Sequence, residues 1–216
     1  MGFEKISAAF FAALLVLSCE KPYEVDYPLA VDSRLVKLSS KAGKTRVVVW
    51  SDRDWKCGLW SQDKVWATLD RESGHGMGDM LFTYEANPGV TRSLAIALSA
   101  GAVKDTVWMQ QAGAITAPRF TPATRNFSPS SAGGHLGTTV TTNLSPCFDR
   151  IVPIIKWTQG DGGWISGVKV ASEGISFDVA VNISGSVRKA EILFDIPGMV
   201  EPSPFPAALI TVTQNP

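Results

Sequence analysis

The residue pattern predicts an all-β chain, two tandem β-sandwich domains behind a short apolar leader, and three observations carry that prediction. Almost no segment of the 216 residues shows helical spacing, whereas runs with every second residue apolar recur between clusters of Gly, Pro, Asn, Asp and Ser. The runs of the first half return in the second at an offset of roughly 100 residues, the size of one immunoglobulin-like sandwich. Charge is balanced, with 20 basic and 20 acidic residues, so no strong field directs the chain toward nucleic acid or anionic lipid.

Residues 1–18 form the leader: Lys5, an apolar run over residues 6–17, then Ser18 before Cys19. That run is shorter than the roughly 20 residues a bilayer requires and stands where a cleaved export segment belongs. The segment resembles a bacterial lipoprotein signal, with Leu17 where a smaller side chain is commoner. The resemblance implies that Cys19 is the lipid attachment residue and the start of the mature chain, anchored at the outer membrane and cell surface. An ordinary secretory peptide cut nearby would leave Cys19 incidental. Each buried CH₂ of an acyl chain contributes about 0.8 kcal/mol, so multiple acylation gives a firm membrane hold. Cleavage removes one acid, Glu4, and one base, Lys5, and leaves the charge balanced. Residues 19–29, with Pro22 and Pro28, read as an extended tether.

The first domain is assigned to residues 30–113 and the second to 114–216, with a short, stiff linker near Ala112-Gly113-Ala114. Asp54-Trp55-Lys56-Cys57 has its counterpart in Ser145-Pro146-Cys147, and Val65-Trp66-Ala67-Thr68-Leu69 in the run Gly163-Trp164-Ile165-Ser166-Gly167-Val168. Residues 82–87 end in Asn87 ahead of Arg92; residues 177–182 end in Asn182 ahead of Arg188. The strands that follow place Leu94, Ile96 and Leu98, or Ile192, Phe194 and Ile196, on one face. The last run pairs residues 106–111 with 210–215, matching Gln110 to Gln214 and Trp108 to inward-facing Val212. Besides Cys19 there are only Cys57 and Cys147, too few for a disulfide-built scaffold. Both lie in strand-like runs of different domains and are expected to be buried free thiols.

This order of strands resembles the BACON family of surface modules. The resemblance rests on Trp55, Trp66, Asn87, Arg92 and Gln110 in the first copy and on Trp164, Asn182, Arg188 and Gln214 in the second. The second copy departs at Pro146-Cys147, where the early Trp is missing, and in a longer loop over residues 198–206. The resemblance implies two immunoglobulin-like sandwiches of about seven strands each and a carbohydrate-binding role at the cell surface, with polysaccharide or mucin glycan as ligand.

No catalytic or metal-binding constellation emerges from the residues themselves, so an enzyme, a metal or another cofactor is not expected. His75 and His135 have no ligand at metal spacing, and the glycine run around His75 precedes a strand, unlike a phosphate loop, which opens a helix. Asp52 and Asp54 read as turn residues, as does Asp161-Gly162-Gly163. Asn143-Leu144-Ser145 and Asn182-Ile183-Ser184 match the glycosylation pattern, which a bacterial export signal makes irrelevant. Arg92 and Arg188 recur at the same place, as fold-determining residues do.

Tryptophan is used seven times, and a ring exposed beside polar groups is the usual platform for a sugar. Most of the seven are expected in the core. Trp60, beside Ser61-Gln62-Asp63, and Trp157, before Thr158-Gln159-Gly160-Asp161, are the candidate glycan-binding residues. Two functions fit this pattern. One is a glycan-binding lipoprotein, which predicts exposed coplanar aromatics. The other is a spacer, or an adhesin or pilus-type module, that holds protein partners at the surface and has no glycan site.

Overall fold

Alternation turns directly into structure. A computed structural model describes residues 27–61 and 65–216, so the leader, Cys19 and most of the tether lie outside the described residues. The first half contains β1 (Ala30–Val31), β2 (Leu35–Leu38), β3 (Gly43–Trp50), β4 (Asp54–Trp60), β5 (Ala67–Leu69), β6 (Ser73–His75), β7 (Gly78–Tyr84), β8 (Arg92–Ala100) and β9 (Val103–Gln111). They form two sheets, ordered β1-β3-β7-β5 and β2-β9-β8-β4-β6. Val47, Val49, Met80 and Phe82 from one sheet meet Leu94, Ile96, Val107 and Met109 from the other in a single buried cluster. Trp55 is buried there, and its Nε1 donates to the Gly76 carbonyl at 3.0 Å. A Cβ on Gly74 would stand 2.3 Å from that indole, so the glycine run exists to let the backbone lie on a tryptophan.

The second half contains β10 (Phe120–Pro122), β11 (Asn126–Phe127), β12 (Gly134–Thr138), β13 (Val140–Thr142), β14 (Val152–Gln159), β15 (Ile165–Ala171), β16 (Gly174–Val179), β17 (Arg188–Asp195) and β18 (Ile210–Gln214). Their sheets are β11-β18-β17-β14, β12-β16-β15 and the pair β10-β13. Trp164, Phe177, Ile192 and Val212 lie in a second buried cluster. The chain is therefore an all-β sandwich protein whose sheets each draw strands from one half.

Three expectations change at this level. Cys147 lies in a 3-10 helix, Ser145–Arg150, not in a strand: Pro146 lacks an N–H and presets the φ of a first helical turn. The strand that takes the place of β4 is β14, since Cys57 pairs with Leu98 and Pro153 with Phe194 at matching distances from Arg92 and Arg188. Both thiols are free, but Cys57 is only half-buried, because the edge strand β6 beside it is three residues long. Burial, with Glu72 and Asp70 adding to it, pushes the Cys57 thiol up to about 11.

Backbone contact joins the halves. The amides of Ala114 and Ile115 donate to the carbonyls of Asn87 and Gly89 at 3.1 and 3.0 Å. A Cβ on Gly113 would sit 2.2 Å from the Gly89 oxygen, so only glycine fits that crossing. Arg150 donates to the carbonyls of Val90 and Thr91 at 3.2 and 2.9 Å. Glu201, in the long loop, accepts from the Thr91 amide at 3.0 Å and its hydroxyl at 2.6 Å.

Candidate functional site

The recurrent polar residues serve the fold. The Arg92 guanidinium lies 4.5 Å over the Trp66 ring, and that of Arg188 lies 4.7 Å over Trp164. Arg92 Nε donates to Gln111 Oε1 at 2.8 Å, and Arg188 Nε to Gln214 Oε1 at the same distance. Their outer nitrogens reach carbonyls of Glu85 and Ala86, or of Ala180. Burial pulls both arginines below their ordinary value, and the neighbouring Arg150 adds to the effect on Arg92. Asn87 Nδ2 donates to the carbonyls of Val90 and Ala112; Asn182 Nδ2 does so to those of Ser186 and Asn215. These clusters close the sandwich ends by satisfying carbonyls that no strand reaches.

The partner of Arg92 is Gln111, fully buried, and not Gln110. One residue of register reverses every side chain on a strand. Trp108 therefore matches Thr211 and faces outward, and Met109 takes the inward place opposite Leu94. Sequence reasoning missed this because two consecutive glutamines offer two registers. The alternation Val107, Met109, Gln111 was the signal that separates them.

Trp60 and Trp108 meet on the outer face of the five-stranded sheet. Register aligns Trp60, Ala95, Trp108 and Leu35 in one row across β4, β8, β9 and β2. The indoles are 51% and 45% exposed, 6.3 Å apart, at 82° to each other, with Ala95 buried beneath them. They form an angled pair rather than the coplanar one expected, so a sugar stacked on one ring abuts the other. Beside this row lie Gly58, Ala97 and Thr106, and a Cβ on Gly58 would meet nothing within 4 Å. The face is thus a shallow trough with an aromatic wall.

Trp157 lies differently. It sits on the inward row of β14 with Ile155, partly buried, its ring 5.6 Å from that of Trp164. A glycine, Gly162, passes close to its edge. The structure does not bring Trp157 near Trp60; the residue at the place of Trp60 in the second half is Lys156.

Among the described residues, the histidines pair with single acids. His75 Nδ1 is 2.7 Å from Asp54 Oδ1, and His135 Nδ1 is 2.8 Å from Asp178 Oδ1, both exposed cross-strand pairs. Ser166 is aligned with Asp178 on its other side, which puts the acid between histidine and serine. A Ser-His-Asp triad requires the imidazole in the middle. Among the described residues no group of three or more His, Cys, Asp or Glu side chains could hold a metal. A cavity of about 350 Å³ at the junction is lined by Trp66, Asn87, Arg92, Cys147 and Arg150 among others. Both arginines there are engaged with backbone carbonyls.

No family model matches the chain, and no curated protein matches it. Among solved structures, it is similar to a Bacteroides ovatus GH5 xyloglucanase in complex with a XXXG heptasaccharide, at 18% identity and a TM-score of 0.36. That match covers 44% of this chain and 21% of the other, so the chain spans about a fifth of that enzyme. Domains 5–6 of the S-layer protein SbsC align over 88% of this chain and 97% of that one, at 13% identity and a TM-score of 0.32. Human protocadherin-24 EC1-2 aligns over 88% and 100%, at 10% identity and a TM-score of 0.32. Likenesses this weak carry no argument about activity or ligand.

Proposed function

We propose that this chain is a non-catalytic cell-envelope lipoprotein, held through lipidated Cys19, in which two BACON-like domains of immunoglobulin type present a glycan-binding face. The face is that of the first domain, and Trp60 with Trp108 is its platform. The single observation that supports this reading is the half-exposed indole pair set across Ala95, beside a trough with small side chains. An apolar ring face flanked by Ser93, Thr106 and Gln110 offers both the stacking surface and the hydroxyl partners a sugar uses.

A glycan array and affinity electrophoresis with the full chain test it. Binding lost in Trp60→Ala and Trp108→Ala with melting temperatures unchanged, but kept in Trp157→Ala even though loss of that packed ring lowers its melting temperature, is the expected result. No binding to any plant or host polysaccharide overturns it and leaves the second reading, a spacer that displays protein partners. That alternative draws on the clamped junction at Thr91, where Glu201 and Arg150 hold the halves together.

A further inference from the structure

Read outward from the tryptophans, the same sheet face carries a third row. Lys56, Ser99 and Lys104 are aligned across β4, β8 and β9, with Ser73 of β6 beside Lys56. Both lysines are exposed, and neither makes an ion pair with a described residue. They share the face of Trp60 and Trp108 because each lies four residues away along its own strand. Four residues of strand span about 13 Å, and two strands separate the lysines by about 9.5 Å. Between the aromatic row and the lysine row lie only Gly58, Ala97 and Thr106.

Among the described residues, the acids nearby are occupied or turned away. Asp54, the next outward residue of β4, is bonded to His75. Asp105 takes both Nε and Nη2 of Arg34. Asp70 and Glu72 lie near the Cys57 thiol, whose side chain belongs to the opposite face of β4. Two unpaired ammonium groups therefore remain at the far end of a trough whose near end is aromatic.

We infer that the ligand of this face is an anionic glycan, a pyranose chain bearing carboxylate or sulfate groups. One ring stacks on the Trp60 and Trp108 pair, and an acidic substituent two to three sugars along lies between Lys56 and Lys104. This rests on the glycan-binding reading above and specifies its ligand class. An uncharged polysaccharide leaves both ammonium groups unused, whereas an acidic one is held at both ends of the trough.

Affinity electrophoresis of the full chain against two matched pairs tests it: polygalacturonate with its methyl ester, and dextran sulfate with dextran. The expected result is that an acidic member binds more tightly than its neutral partner. Lys56→Gln with Lys104→Gln then weakens that binding about three- to tenfold, the range two exposed charge contacts give, and leaves neutral binding unchanged. Preference for polygalacturonate assigns the carboxylate, and preference for dextran sulfate the sulfate. Equal binding of acidic and neutral members, or a lysine variant with unaltered affinity, overturns this inference while the glycan-binding reading stands. Polyanion binding that survives Trp108→Ala also overturns it, since charge alone would then account for the contact. Absence of binding to every glycan in a wider array overturns both. Circular dichroism melting of each variant separates lost contact from lost fold.

Discussion

The two halves share an interior and differ on the surface. Inside, Trp66, Arg92 and Gln111 are matched by Trp164, Arg188 and Gln214, with the same bonds at nearly the same distances. Outside, the row Trp60, Ala95, Trp108, Leu35 is matched by Lys156, Glu191, Thr211, Asn126. Lys156 and Glu191 lie 3.7 Å apart, so the second face is closed by its own charges where the first is left aromatic and open. What recurs is what the sandwich requires, and what differs is free to be used. Function is therefore to be sought on the first face, and recurrence in this chain marks structure.

The largest effects test the shared interior. Trp66→Ala and Trp164→Ala each remove a buried ring and the surface on which an arginine lies, and each is expected to cost about 3–5 kcal/mol in denaturant titration. Markedly unequal losses would break the equivalence of the clusters. Next is the register: Gln111→Leu leaves Arg92 Nε without its acceptor and the Glu85 carbonyl with Arg92 Nη2 alone, and should cost about 2 kcal/mol, whereas Gln110→Leu stays within about 0.5 kcal/mol. The reverse order would restore the register that places Trp108 inside.

The junction has no copy in the repeat and gives a smaller, pH-dependent effect. Burial by itself raises the Glu201 carboxyl, but hydrogen bonds from Thr91 and the backbone outweigh it and hold the group below its ordinary 4.5. A carboxyl so lowered adds stability that is complete above the ordinary value and lost as pH falls through the folded one. Glu201→Gln should therefore be less stable than the parent by about 1 kcal/mol at neutral pH. The gap should narrow once pH drops below 4.5, and a gap constant with pH would remove the charge from the account. The smallest change sharpens the surface comparison: Lys156→Trp with Thr211→Trp transplants the aromatic row. It should alter stability by less than about 1 kcal/mol, the worth of an exposed ion pair, and create a second glycan contact visible as a rise in retention on the gel. Unchanged retention would mean the trough beside Trp60, and not the rings alone, decides binding.

Much of this was legible in the sequence, and the misses share one cause. Alternation located the strands, and Trp66, Asn87 and Arg92 could be matched to Trp164, Asn182 and Arg188 because each pair keeps its polar partners. Gln110 was matched wrongly because it stands beside a second glutamine, and in a strand one step of error moves Trp108 from surface to core. Cys147 was aligned with Cys57 by identity, but the 3-10 helix Ser145–Arg150 shifts the true counterpart to β14. Trp157 then fell one position beyond the place of Trp60, on the inward side. Period-two patterns give element type reliably and facing direction only when the register is anchored.

Pro153 stands where the first half has Cys57, whose amide donates to the Glu72 carbonyl at 2.8 Å and so fastens a neighbouring segment to the outside of β4. Proline has no hydrogen to give there, and β14 is the outermost strand of its sheet. A second molecule that tried to extend this sheet would find one rung of the ladder absent. Edge-to-edge pairing through β14 is thereby disfavoured, so this edge of the second half makes a poor seed for a fibre.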